Sequence, residues 1–210
     1  MTPSLDQIAL ILFVGMGPVK VFVYYLASIH DAPPAVGRRV AVRAVGTAAL
    51  TALGLLVIGA LLFRLLHFSG PALVVASGIV LLAYGIEVIL RAVPASHRHP
   101  PPAETELMEK AVFPMGVPLI LNPAGIAATT IFSAEAASLG ELGILAAIIL
   151  GVALLDLIVL VIARPLGPRL PTEATLVLEQ LLGVLLVAVA VELLVIGLNA
   201  YGIIDIPARH

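Results

Sequence analysis

Helix-breaking and charged residues recur in this 210-residue chain at a separation of half its length. Pro123 follows Pro18 by 105 residues, and Glu192 follows Glu87 by the same interval. Two pairs of glycines share this separation: Gly46 with Gly151, and Gly78 with Gly183. Proline and glutamate are uncommon inside apolar runs, so their recurrence in register predicts a membrane fold built from two related halves.

The composition of the chain also favours a lipid bilayer. Hydrophobic residues make up 61% of the sequence and charged residues 11%, which leaves too little polar surface to cover a water-soluble globule of this size. The absence of cysteine excludes disulfides, thiol nucleophiles and zinc–thiolate sites, and the net charge of −2 offers no basic surface for nucleic acid. We expect an integral membrane protein with no cofactor and no metal site.

Six apolar runs are long enough to cross a hydrocarbon core, which takes about 20 helical residues. They lie near Ile8–Ile29, Val42–Leu65, Ala72–Leu90, Val112–Ala134, Leu142–Ala163 and Leu176–Leu198. The sequence therefore predicts an all-α, polytopic membrane protein with six transmembrane helices. A proline-rich, charged gap separates the third run from the fourth and cannot bury a core. We predict two three-helix halves, residues 1–93 and 112–210, joined by a cytoplasmic linker at 94–111 within one membrane domain.

The distribution of lysine and arginine predicts the orientation of the chain. The first, third and fifth loops hold Arg38, Arg39, Arg43, Arg91, Arg98, Lys110, Arg164 and Arg169, whereas the opposite side holds Arg64 and Arg209. By the positive-inside rule the odd-numbered loops are cytoplasmic and both termini lie on the outer side of a bacterial-type inner membrane. Because each half has three spans, the second half is predicted to be inverted relative to the first.

Pro18 and Pro123 are predicted to lie near the bilayer centre, about 15–18 Å from the entry of their spans. Proline removes a backbone N–H, and the neighbouring glycines let the chain unwind, so helices 1 and 4 are predicted to be broken or kinked there. The alternative is a simple kink packed against neighbouring helices. Backbone freed from a helix must face protein or a wet cavity. The candidate substrate-binding residues are Gly15, Gly17, Pro18, Lys20, Asn122, Pro123 and Gly125.

Lys20 is a charge deep inside the first apolar run. Such a charge costs about 2.5–3.5 kcal/mol at the centre of a bilayer, so we expect a carboxylate counter-ion, either Glu87 or Asp156. Snorkelling to the headgroups is the alternative, but the end of the span is about 14 Å away along the helix. Glu87 is four residues from Arg91 and could equally form a surface ion pair. Asp156 and Glu192 are candidate ion-coupling residues, because burial favours the protonated form of a carboxylate.

The fourth span carries a specific sequence pattern. The segment 113–127, FPMGVPLILNPAGIA, resembles the segment VPLAxPLLAGPGAIA of the MarC family, also called the neutral amino acid transporter family. Residues 13–20, FVGMGPVK, are similar to that family's first-span FxxxDPxG, and residues 76–81, ASGIVL, to its third-span AGGxxL. Residues 181–192, LLGVLLVAVAVE, are similar to its sixth-span MGxLLxxxAVQ. The resemblance implies six spans, inverted halves, and uptake of small neutral amino acids coupled to a cation.

The chain departs from that pattern around the first-span proline. Gly17 stands where the family usually has Asp or Asn, Lys20 replaces the usual Gly, and Val23 replaces a second proline. These changes lie in the candidate substrate site, so they affect the expected substrate more than the expected fold.

The sequence therefore predicts a secondary transporter, not an enzyme. It would move a small polar solute by alternating access at the midplane: a neutral amino acid or related metabolite, or an anionic one because of Lys20. Its expected partners are this solute, a proton or sodium ion, and membrane lipid, and a homo-oligomer is compatible with the sequence. The alternative is a membrane-embedded enzyme or lipid-handling protein, for which we find neither a nucleophile with its base nor a metal-binding helix motif.

Overall fold

The computed structural model describes residues 4–30, 32–67, 69–91, 103–169 and 172–204. Within these ranges, the side chains of Val19, Lys20 and a number of residues in the later helices lie outside the description. The described residues form helices and connecting turns, with no strand. The helices are α1 Leu5–Met16, α2 Val19–Ser28, α3 Pro34–Leu66, α4 Gly70–Arg91, α5 Glu104–Lys110, α6 Pro123–Glu135, α7 Leu139–Ala163 and α8 Thr172–Ala200.

Among the described residues, five helical segments are long and apolar enough to cross a membrane, or six if a bent pair counts as one span. The five are Leu5–Ser28, Pro34–Leu62, Gly70–Leu90, Leu139–Leu166 and Gly183–Ala200, and the bent pair is Glu104–Ile120 with Pro123–Glu135. The all-α membrane-spanning class expected from the apolar runs is thus confirmed.

The start of α3 differs from the predicted start of the second span. Helix α3 begins at Pro34, well before the apolar run that starts at Val42. Proline fits the first turn of a helix, and the arginines between Pro34 and Val42 interrupt the apolar pattern without interrupting the helix. Residues 94–102 of the predicted linker lie outside the described residues. Most of the rest of the linker forms α5. Acidic residues in the first turn of α5 and Lys110 in the last turn suit the helix dipole.

The chain leaves helical geometry at two places inside the bundle. Gly17, between α1 and α2, has extended backbone angles (φ −72°, ψ 161°). Before α6, the irregular segment Ala111–Ile120 contains extended residues at Phe113 and Val117, each preceding a proline. This segment and α6 meet at an angle of 66°.

Helix α3 packs against α6, α7 and the irregular segment. Its buried face consists largely of small residues: Ala41, Ala44, Ala48 and Ala52. Helices α4 and α8 form the most extensive helix pair, and α1 packs on α6 and α7. Small residues let membrane helices approach closely, which is the main source of their attraction in lipid.

The two ends of the bundle differ in their polar contacts. At one end Arg39 pairs with Glu104, and Arg164 Nη1 donates to the carbonyl of Pro34 at 2.8 Å. We call this the basic end, defined by Arg38, Arg39, Arg43, Lys110 and Arg164. At the opposite end, the hydroxyls of Ser69 and Tyr201 lie 2.7 Å apart.

We expect Gly85→Leu to destabilise the protein by separating α4 from α8. A Cβ at Gly85 would lie 3.0 Å from the backbone nitrogen of Val187, and overpacking of this kind costs about 1–3 kcal/mol. Gly143→Leu is the matched control, because Gly143 is exposed and no described atom lies within 4 Å of its Cβ position. Thermal unfolding in detergent should show a lower Tm for Gly85→Leu alone; equal Tm values for the two variants would contradict the close packing.

Candidate functional site

The end of α1 meets the start of α6 inside the bundle, at Gly15 and Gly125. A Cβ at Gly15 would lie 2.5 Å from the Cα of Gly125, and a Cβ at Gly125 would lie 2.5 Å from the carbonyl oxygen of Gly15. No side chain fits at either position, so this contact requires two glycines. We call Gly15, Asn122, Pro123 and Gly125 the crossing.

Asn122 joins the two helix ends at the crossing. Its backbone N–H donates to the carbonyl of Gly15 at 3.0 Å, and its Nδ2 donates to the carbonyl of Val14 at 3.1 Å. Its Oδ1 accepts from the backbone N–H of Gly125 at 3.0 Å and so caps the start of α6. Asn122 is fully buried. One residue therefore satisfies both carbonyls from the end of α1 and an N–H from the start of α6.

Serine and threonine residues hold α6 against its neighbours. Ser77 Oγ, on α4, donates to the carbonyl of Pro123 at 2.9 Å. Ser133 Oγ, on α6, donates to the carbonyl of Leu56 at 2.7 Å and accepts from the N–H of Ala60 at 3.2 Å. The hydroxyl of Thr129 is buried and has no hydrogen-bond partner among the described residues. The buried face of α6 is thus polar within an otherwise apolar bundle.

Asp156 is fully buried in the middle of α7. Its neighbours on the buried face of this helix are Ile149, Val152, Ala153 and Leu160, and α7 packs against α3, α1 and α2. Neither carboxylate oxygen has a hydrogen-bond partner within the part of the chain that the structure describes. A carboxylate without partners in an apolar interior is costly, which marks Asp156 as a candidate site for a proton or cation.

Lys20 lies in α2 and Asp156 in α7, and the side chain of Lys20 lies outside the described part. Both helices end beside Gly37 of α3: a Cβ at Gly37 would lie 3.5 Å from Cδ1 of Ile29 and 3.3 Å from Cδ of Arg164. Lys20 precedes Ile29 by nine residues, and Asp156 precedes Arg164 by eight. These offsets correspond to about 14 Å and about 12 Å along the two helices.

Among the other predicted site residues, two carboxylates are exposed and two residues near the first-span proline are buried. Glu87 on α4 and Glu192 on α8 are exposed on the outside of the bundle, whereas Gly17 and Pro18 are buried between α1 and α2. The sequence prediction missed the roles of Ser77 and Ser133. Their signal was a hydroxyl inside an apolar run, but only the packing of α6 on α3 and α4 gives each its partner.

Two recesses lie on opposite sides of the crossing. One, of about 290 Å³, is at the end opposite the basic end and is lined by Leu5, Ile8, Phe132, Glu135, Ala136, Glu141, Ile144 and Leu145. The other, of about 140 Å³, is at the basic end and is lined by Ile29, Ala32, Pro33, Pro34, Gly37, Arg164 and Pro165. Neither is lined by a residue of the crossing, which is closed by the packing of Gly15 on Gly125.

The spans, the internal polar crossing and the buried carboxylate define a polytopic α-helical integral membrane protein. The model of the MarC family of integral membrane proteins matches residues 4–201, so the chain belongs to the MarC family. This confirms the resemblance seen in the fourth span. The UPF0056 membrane protein MJ1677 of Methanocaldococcus jannaschii is 30% identical over 145 residues, which cover 67% of this chain and 69% of that protein. No solved structure matches the chain.

We expect Asn122→Ala to destabilise the protein by about 1–3 kcal/mol, because the fully buried amide of Asn122 makes two hydrogen bonds, to the carbonyl of Val14 and from the N–H of Gly125, and both would be lost. The matched control is Ser138→Ala. Ser138 also caps a helix, accepting from the N–H of Glu141 at 3.2 Å, but it is exposed. Loss of an exposed cap costs about 0.5–1 kcal/mol. Thermal unfolding of the purified variants measures the difference, and equal losses would show that Asn122 acts as a helix cap alone.

Proposed function

We propose that this protein is a secondary transporter of a small polar solute, and that the crossing is where the solute passes between the two sides of the membrane. The observation that carries the proposal is the burial of two helix ends at the crossing, with their backbone polar groups held by Asn122. Non-helical backbone at membrane depth is tolerated where it is buried in protein or lines a cavity, and broken helices at such positions form the binding sites of many transporters.

The charges of the two helix ends favour a zwitterionic solute such as a neutral amino acid. The start of α6 presents N–H groups and the positive end of its dipole, and the end of α1 presents carbonyls and the negative end of its dipole. A carboxylate fits the start of α6, and an ammonium group fits the carbonyls of Val14 and Gly15. The amide of Asn122 makes both kinds of contact in the closed arrangement. Opening would replace those contacts by contacts to the solute.

The contacts between helices support two inverted halves related by a pseudo-two-fold axis. The repeat of 105 residues pairs the first span with the fourth, the second with the fifth and the third with the sixth. The helices of each pair are in contact: α1 with α6, α3 with α7, and α4 with α8. An axis that passes through the middle of the bundle would produce these three contacts. In this arrangement the breaks at Pro18 and Pro123 are equivalent, and alternating access is a rocking of one half against the other.

Asp156 is the proposed coupling residue, and Lys20 its proposed counter-ion. Lys20 and Asp156 lie nine and eight residues before the helix ends that meet beside Gly37. This similarity favours the pair over Lys20 with Glu87, because Glu87 is exposed on α4. Protonation of Asp156, or its binding of sodium, would release Lys20 to attract the carboxylate of the solute.

We also propose that the basic end is cytoplasmic and that both termini lie on the outer side of a bacterial-type inner membrane.

The flux of solutes into proteoliposomes tests this function. The purified protein is assayed with a panel of neutral amino acids and small anions, with and without a proton or sodium gradient. We expect uptake above solute equilibrium only with a gradient. Asp156→Asn should abolish accumulation and retain exchange of solute across the membrane, whereas the control Glu192→Gln should accumulate normally. Absence of flux for every solute would contradict transport, and normal accumulation by Asp156→Asn would contradict the coupling role.

The pairing of Lys20 with Asp156 has its own test. Lys20→Met should abolish uptake without preventing membrane insertion, because it leaves a buried carboxylate without its counter-ion. The double variant Lys20→Met/Asp156→Asn removes both charges, so its Tm should exceed that of Lys20→Met alone. Additive losses of stability in the two single variants would show that the residues do not interact. Retained uptake by Lys20→Met would remove Lys20 from the mechanism.

A further inference from the structure

A groove runs along the outside of the bundle between the start of α3 and the end of α7. It has a volume of about 450 Å³ and is lined by Arg38 and Val42 of α3 and by Leu157, Ile158, Val161 and Arg164 of α7. At the basic end it opens into a wider recess of about 820 Å³, lined by Ala35, Arg38, Arg39, Val42, Arg43 and Arg164. Arg38 and Arg164 line both spaces, so guanidinium groups stand where the apolar groove meets the basic recess.

The apolar part of the groove, which we call the stem, is formed by Val42, Leu157, Ile158 and Val161 and faces lipid. Val42 is 49% exposed and Ile158 45% exposed, and both lie in segments that can span the membrane. Ile162, one turn beyond Ile158 on α7, is 71% exposed. In a bilayer this stem must therefore be covered by a lipid acyl chain or by another apolar surface.

The end of the groove that opens into the basic recess, which we call the head, contains Arg38 and Arg164. Its positive charge is not balanced by carboxylates among the described residues. Arg39 pairs with Glu104, but neither Arg38 nor Arg43 has an ion-pair partner among the described residues. Arg164 uses Nη1 to donate to the carbonyl of Pro34, which fixes its position and leaves its other N–H groups for a ligand. Guanidinium groups bind phosphate through pairs of parallel hydrogen bonds.

We propose that this groove binds one anionic phospholipid, with the phosphate between Arg38 and Arg164 and an acyl chain along Val42, Leu157, Ile158 and Val161. The arrangement matches the amphipathic character of such a lipid. Arg164 lies about 10 Å along α7 from Leu157, so charge and apolar stem follow one another along the groove. Basic pockets between membrane helices are typical sites for anionic headgroups.

The positive-inside rule alone does not account for this site. That rule requires an excess of positive charge in a loop, with no particular position for any side chain. Here Arg38 and Arg164, from distant parts of the sequence, converge at the head of one apolar groove. A free anion would bind the arginines without contacting the stem. A zwitterionic lipid would pack its acyl chain along the stem, but the arginines would add little to its binding free energy.

Lipid retention by the full-length protein tests the proposal independently of transport. Detergent-solubilised protein is titrated with phosphatidylglycerol, with phosphatidylcholine, or with inorganic phosphate, and bound lipid is counted by native mass spectrometry. We expect the wild type to retain one phosphatidylglycerol and to retain phosphatidylcholine and phosphate far more weakly. Removing one arginine should weaken phosphatidylglycerol binding about fivefold, and removing both about 30-fold.

The variants are Arg38→Gln, Arg164→Gln and the double change, and Lys110→Gln is the control. Lys110 has the same charge and lies at the same end, but it pairs with Glu106 at 2.7 Å and does not line the groove. Arg38→Gln keeps the test valid if Arg164→Gln misfolds, because Arg38 makes no hydrogen bond or ion pair with a described residue that the change would remove. A separate variant, Val161→Trp, fills the stem and should reduce lipid binding without affecting phosphate. Equal retention of phosphatidylglycerol by Arg38→Gln and Lys110→Gln would overturn the proposal, as would phosphate binding as tight as that of the lipid.

Discussion

The structure depends on how backbone polar groups are satisfied where two helices end inside the membrane. At the crossing, Asn122 donates to the carbonyls of Val14 and Gly15 and accepts from the N–H of Gly125. Water cannot supply these bonds in the hydrocarbon region, so without Asn122 both helix ends would be costly. The close contact between Gly15 and Gly125 agrees with this, because the bonds from Asn122 to the carbonyls of Val14 and Gly15 hold the two backbones together.

The sequence gives more information about the backbone at the crossing than about the charges around it. Proline and glycine change the backbone locally, so an interruption near Pro18 and Pro123 can be predicted without any knowledge of packing. Glu87, Asp156 and Glu192 looked alike, since each lies within an apolar run. In lipid a helix is apolar on all sides, and the hydrophobic pattern does not reveal which face is buried. Only the packing of α7 against α3, α1 and α2 distinguishes Asp156 from the other two carboxylates.

The polar groups of the bundle fall into three sets with different roles. The serines of α4 and α6 bond to backbone carbonyls and hold α6 in place. Asp156 makes no such bond with the described residues, which fits a residue that changes partners during a cycle rather than one that stabilises a single arrangement. Two arginines of the basic end, Arg38 on α3 and Arg164 at the end of α7, line the proposed lipid site, and a lipid bound there would connect α3 to α7. This last contact would be between spans of opposite halves, the interface that rocking would change.

The central claim is that the crossing separates two water-accessible pathways, one on each side. The chain has no cysteine, so single cysteines introduced at Thr129 and at Met115 can be probed with a membrane-impermeant thiol reagent added to either face of proteoliposomes. Both residues are buried, on opposite sides of the crossing. The account predicts that Thr129→Cys reacts from the face opposite the basic end and Met115→Cys from the basic-end face. If neither cysteine reacts from either face, with or without neutral amino acids present, or if one reacts equally from both, the crossing is not a gate.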